Sequence, residues 1–161
     1  MKRDVWWFYE GIINSAAVAL FTAMVVVTTL GVFFRYVLNN ALPWAEEADR
    51  YLFIWLSFVG ASITMRYKAH IAVDLLLRYV SPAWRHRLTL IAQGCVLVFL
   101  GVVFWASLPV IELTSETRAT ATDIPLSWVY LAAPTGCILI AIETLRLMAR
   151  TRAEMRQGGT A

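Results

Sequence analysis

The stretch Trp44-Ala45-Glu46-Glu47-Ala48-Asp49-Arg50 sets three carboxylates and a guanidinium directly before an apolar run. On a helix turning about 100° per residue, with Glu46 at 0°, Glu47 falls near about 100° and Arg50 near about 40°. Arg50 then lies between the two glutamates and can pair with either. Three kinds of chemistry fit this pattern. The cluster can be a solvated acidic helix start, favoured by the helix dipole. It can be a partly buried ion cluster that fixes the helix against a neighbour, because ionisable groups near membrane depth face protein. The glutamates can also bind substrate or couple an ion.

A second polar set, His70, Asp74 and Arg78, repeats every four residues. His70 and Asp74 could form half a metal site, but no further ligands stand nearby, and a polar stripe facing lipid headgroups is the plainer reading. The other histidine, His86, also lies outside the apolar runs, whereas a haem held between helices needs histidines at membrane depth. There is no phosphate-cradling glycine loop, nucleophile elbow or His-Glu-x-x-His motif. Cys95 and Cys137 each sit inside an apolar run and form no Cys-x-x-Cys pair. The expectation is a non-enzyme without a cofactor or resident metal.

The elements that must hold these residues are apolar. Of 161 residues, 60% are hydrophobic and only 16% charged, which excludes a disordered chain and argues against a water-soluble enzyme. Uncharged runs extend over 11–34 and 88–111, 24 residues each, or about 36 Å as helix. Each covers a hydrocarbon core of about 30 Å. The first run is too long for the apolar core of a cleaved signal peptide despite Met1-Lys2-Arg3 before it, and is read as a retained helix. Between Arg50 and Arg66 only 15 uncharged residues remain, too few to span. A helix over 44–66, with Pro43 just before it, restores the length and puts Glu46, Glu47, Asp49 and Arg50 in its first turns. A fourth run over 124–142 contains Pro125 near its start and Pro134, expected to kink it. Residues 69–81 read as a short amphipathic helix lying in the membrane interface.

The fold class expected is therefore an all-α integral membrane protein: four transmembrane helices and one interfacial helix, in a single membrane domain over 1–161. Of the 14 Lys and Arg residues, 11 fall on the side of the two termini and the 66–87 connection. Arg35, Arg50 and Arg118 fall on the other. The positive-inside rule then makes both termini cytoplasmic. Clustering of charge between apolar runs argues against a nucleic-acid partner and for membrane lipids.

Continuing the helix wheel from Glu46 brings Ser57, Gly60, Ala61 and Thr64 to the same side, with Leu52, Trp55 and Val59 opposite. Small residues four apart let helix backbones approach closely. Matching notches exist at Ala132/Gly136 and at Ser15/Ala19/Ala23. Packing within the bundle is one use of the stripe; a second subunit covering surfaces such as Trp55 is another.

The residues Phe34-Arg35-Tyr36, Trp44-Ala45-Glu46-Glu47, Arg50-Tyr51, Trp55, Gly60-Ala61, Arg66, His70-Ile71 and Asp74 together resemble a known pattern. It is that of the small membrane subunit of tripartite ATP-independent periplasmic (TRAP) transporters. The resemblance implies a multi-pass protein of the bacterial inner membrane. It also implies two partners, a large multi-span membrane subunit and a periplasmic substrate-binding protein. Uptake of an organic acid would be driven by an ion gradient, usually of sodium, with this chain as scaffold. Arg35, Trp44, Glu46, Glu47, Arg50, Trp55, Ser57, Gly60, Ala61, Thr64, Arg66, His70, Asp74 and Arg78 are then expected in structural or partner-interface roles. Two other readings remain: a stand-alone four-helix exporter, which would want an acidic group within its spans, and a membrane haem subunit.

Overall fold

Each long apolar run becomes a helix that outlasts its uncharged part. Helix α1 covers Lys2–Tyr36, α2 Pro43–Arg66, α3 Pro82–Leu113, α4 Ser127–Tyr130 and α5 Ala132–Gly158. The computed structural model describes residues 2–67 and 82–158. The expected interfacial helix over 69–81, with His70, Asp74 and Arg78, lies outside them. Among the described residues the chain is helical apart from its connections and one isolated antiparallel bridge, Arg118–Pro125.

Three segments are long and apolar enough to cross a membrane: Trp6–Tyr36, Arg87–Leu113 and Ser127–Ala153. Helix α2 is 24 residues long but carries Glu46, Glu47, Asp49 and Arg50 in its first two turns, so its apolar character is diluted. Pro43 opens it, where a missing N–H removes no helical bond. The turn before it is made possible by Asn39, whose φ of 50° lies in the left-handed region that asparagine tolerates.

The fourth expected span differs in detail. Residues 124–126 belong to a tight hairpin-like connection and not to a helix: Ala119 N–H donates to Ile124 O at 2.9 Å and Leu126 N–H to Thr117 O at 2.9 Å. Asp123, at φ 54°, makes the reversal. The helix then starts at Ser127 and is interrupted at Leu131. Pro134 explains the interruption: having no N–H, it cannot bond the carbonyl of Tyr130 four residues earlier. It therefore breaks the first turns and does not kink the middle of a span. Pro109, by contrast, sits within α3 near its end, and the helix runs through it to Leu113.

The helices form an open row in the order α1, α2, α5, α3. Helix α1 lies antiparallel on α2, since Arg35 meets Glu46 while Asn14 meets Arg66. Helix α2 runs parallel to α5, with Phe58 against Gly136 and Arg66 against Glu143. In α1 the shielded residues, among them Ile13, Ala17, Leu20, Met24, Val27 and Gly31, recur every three or four positions and form a single stripe. The opposite face, including Val18, Phe21 and Val25, is exposed in the isolated chain. In hydrocarbon such a face carries no penalty, which is why a row with so few buried side chains suits lipid.

Candidate functional site

Both ends of α2 are tied down by polar contacts, and the residues between them divide into a packed face and a free face. At the start of the helix, Glu46 pairs with Arg35 of α1. Asp49 accepts a hydrogen bond from the Thr28 hydroxyl at 2.8 Å. Glu47 turns the other way, to the connection between α3 and α4. Its carboxylate accepts the backbone N–H of Ala121 at 3.1 Å, the N–H of Thr122 at 2.9 Å and the Thr122 hydroxyl at 3.0 Å. A carboxylate that gathers consecutive backbone donors makes charge-assisted bonds and fixes the loop that supplies them. The same loop is braced internally by Arg118 and Asp123, 3.3 Å apart.

Arg50 departs from expectation. Among the described residues it forms no ion pair with Glu46 or Glu47, because those carboxylates are taken by Arg35 and by the loop. Arg50 is exposed and borders a cavity of about 360 Å³ between α2 and the α4–α5 region, whose walls include Tyr51, Phe58 and Val129. Trp44 is exposed at the first turn of α2, and Trp55 is half-buried.

The small-residue stripe points away from the other described helices. Ser57, Ala61 and Thr64 are exposed, and a side chain built at Gly60 would meet nothing within 4 Å. The residues of α2 that are buried are Ala45, Val59, Ser62 and Met65. Nor does the notch on α5 receive the stripe. Gly136 lies under the ring of Phe58, where an added Cβ would come within 2.4 Å of the aromatic carbon. On α1, Ser15 and Ala19 are exposed, so that notch does not meet the stripe either.

At the far end of α2, Arg66 enters a network that the sequence reading missed. Its Nε donates to Glu143 at 3.3 Å and its Nη1 to Asn14 at 3.4 Å. Glu143 also accepts from Arg146 at 3.1 Å, and Arg146 reaches Glu10 at 3.0 Å. The Glu143 side chain is 2% exposed, so a buried carboxylate sits between two guanidinium groups. The Arg146 guanidinium lies 3.9 Å from the centre of the Trp6 ring, a close cation–π contact. One signal was available: Glu10, Arg66 and Glu143 each bound an apolar run, and helices alternating in direction bring those boundaries to one level.

Among the described residues no group of three or more His, Cys, Asp or Glu side chains is placed to hold a metal. What the arrangement can do is mechanical. Two polar clamps set the position of α2 against α1, α5 and the 117–126 loop, and the described residues leave a face of small side chains uncovered.

Comparison with known proteins agrees with this architecture. The sequence pattern of the DctQ component of tripartite ATP-independent periplasmic transporters matches residues 24–154. A TRAP transporter small permease protein of Haemophilus influenzae is 27% identical over 141 residues, 88% of each chain. An isethionate TRAP transporter permease protein DctMQ of Oleidesulfovibrio alaskensis is 27% identical over 140 residues, 82% of this chain and 22% of that longer protein. A C4-dicarboxylate TRAP transporter small permease protein DctQ of Vibrio cholerae is 35% identical over 77 residues, 48% of this chain and 33% of the other. With a match over most of its length and three helices apolar enough to cross a bilayer, the chain belongs to the DctQ family of TRAP transporter small permease subunits, multi-pass proteins of the inner membrane.

Proposed function

We propose that this chain is a non-catalytic scaffold subunit that supports ion-gradient-driven uptake of an organic acid, with sodium as the coupling ion. In this reading it joins a large multi-span membrane subunit, and a periplasmic binding protein delivers the solute to the pair. All four long helices cross the membrane, and both termini are cytoplasmic. The relatives named for isethionate and C4-dicarboxylate support an acidic solute. The relative named DctMQ, in which a segment like this one makes up 22% of a longer permease, supports a large partner.

The observation that carries the scaffold role is the face of α2 formed by Ser57, Gly60, Ala61 and Thr64. It is clamped in position at both ends, yet Ser57, Ala61 and Thr64 are exposed among the described residues and a side chain added at Gly60 meets nothing within 4 Å. Small residues in lipid gain by close backbone approach, so such a face suits a partner helix. Arg50 lies on the same side as a further interface contact, Trp44 and Trp55 offer contacts on the opposite side of α2, and Arg35, Glu46, Glu47 and Arg66 hold the helix that presents the face. Crossing by α2 is supported by its register: it starts beside the 121–122 loop and ends beside Asn14 and Glu143, the levels between which α1 and α5 run.

The test is co-purification of a tagged chain with its large subunit, alongside solute uptake in cells. Gly60→Leu is expected to abolish co-purification and uptake while leaving the thermal unfolding of the isolated chain unchanged. A Gly60→Leu complex that assembles and transports normally would refute the assignment of this face.

A further inference from the structure

Where α2 ends and α5 continues, a small cavity of about 10 Å³ is lined by Met65, Arg66, Glu143, Arg146, Leu147 and Arg150. Three of these six groups are arginines and one is a carboxylate. The Arg66 side chain is nine-tenths buried; its Nε and Nη1 are engaged by Glu143 and Asn14, but its Nη2 is buried without a partner. An arginine donor left unsatisfied inside protein is costly, and its natural complement is an oxygen acceptor. Arg146 is already divided between Glu143 and Glu10. Arg150 is exposed at the rim and, among the described side chains, makes no ion pair. Counting Glu10 and Glu143 against Arg66, Arg146 and Arg150 leaves one positive charge in excess.

The space admits one group about the size of a water molecule and no more. A phosphate oxygen is of that size; a whole phosphate is not. An anion using this site therefore inserts one oxygen and keeps the remainder outside, against Arg150. The apolar wall supplied by Met65 and Leu147 faces the same opening. Exposed Trp6 and Trp7 stand at this end of the row, as aromatic side chains do at the level of lipid headgroups. Basic pockets between membrane helices take anionic headgroups for these reasons.

We propose that the cavity seats a phosphate oxygen of an anionic phospholipid, with Arg66 and Arg150 as its cationic contacts and the half-buried Leu147 against the glycerol and acyl region. The shared chemistry is a phosphate oxyanion, and the apolar wall at the end of membrane-crossing helices assigns it to lipid and not to free phosphate.

Native mass spectrometry of the full-length chain, delipidated in neutral detergent, tests this. Phosphatidylglycerol, phosphatidylcholine and inorganic phosphate are added separately and then in competition. The wild type is expected to retain phosphatidylglycerol in preference to phosphatidylcholine. Arg150→Gln should weaken phosphatidylglycerol binding about fivefold, the effect of one arginine at a membrane surface. Arg118→Gln, at the opposite end of the row, should leave it unchanged. Because Arg150 is exposed, unfolding curves of its variant should overlay the wild type. Equal retention of the two lipids, or no loss in Arg150→Gln, overturns the site; displacement of phosphatidylglycerol by millimolar inorganic phosphate overturns the lipid assignment.

Discussion

A carboxylate withdrawn from its surroundings depends on its counterions far more than an exposed one. Glu143, 2% exposed between Arg66 and Arg146, and Glu46, 63% exposed beside Arg35, show the contrast. Removing the first takes its carboxylate from Arg66, whose side chain is 10% exposed, and leaves Arg146 with Glu10 alone. Glu143→Ala should destabilise the purified protein by about 3–5 kcal/mol, read from its unfolding in denaturant. Glu46→Gln should leave the same transition close to wild type, since exposed pairs contribute little. The sequence made Glu46 conspicuous because it sits in a dense charged cluster, and left Glu143 unremarked because it marks only the end of an apolar run. Local density of charge is visible in a sequence, whereas burial is decided by which helices become neighbours. Glu47 makes the same point: its partners, Ala121 and Thr122, lie more than seventy positions away and carry no charge to advertise them. Glu47→Gln should speed hydrogen exchange at the Ala121 and Thr122 amides, with the amides of mid-α1 unaffected.

Two glycines facing different surroundings separate packing within the chain from packing against a partner. At Gly136, an added Cβ would come within 2.6 Å of the Phe58 Cβ, an atom close to the backbone that cannot swing aside. Gly136→Ala should therefore cost about 1–3 kcal/mol by overpacking, despite the better helix propensity of alanine. Phe58→Ala in that background should cost less than it does alone, and a double-mutant cycle measures the coupling. At Gly60 the same added atom meets nothing, so its effect belongs to assembly. Helix existence and length were legible from the apolar runs, because a chain in lipid must satisfy its backbone internally and a helix does so. The identity of the packed face was not. The wheel shows that Ser57, Gly60, Ala61 and Thr64 share a side, and also that Val59 lies opposite, but which side meets α5 depends on the large ring of Phe58 finding Gly136. The segment before α4 was misread for a related reason. Ile124, Pro125 and Leu126 are apolar enough to extend a span, yet their backbone is committed to the bridge and turn around Asp123.

At the scale of the whole molecule, the open row sets a geometric constraint on how the chain can pass through a bilayer. Within the row α1 is antiparallel to α2, and α2 is parallel to α5, which requires α3 between them in sequence to return in the opposite sense. If α1, α3 and α5 cross, α2 must cross as well, since its two ends are bonded at the two levels where its neighbours emerge. In the proposed reading charge bias selects the sidedness, because 11 of the 14 basic residues belong to the two terminal segments and to 66–87. Single cysteines in a background lacking Cys95 and Cys137 report this directly. Asn40→Cys and Thr120→Cys should react with a membrane-impermeant maleimide once only the outer membrane is opened. Ala153→Cys should react only after the inner membrane is also breached. Labelling of Asn40→Cys and Ala153→Cys from the same side would mean that an odd number of the three intervening long helices does not cross, and the helix to fall would be α2, whose charged start is the weakest of the four claims on hydrocarbon. Labelling of all three in the reverse order would instead keep four crossings and invert the protein. In either case the Glu47 clamp and the Glu143 network would remain at opposite ends of α2, so the experiment separates where the chain sits in the membrane from how its helices hold one another.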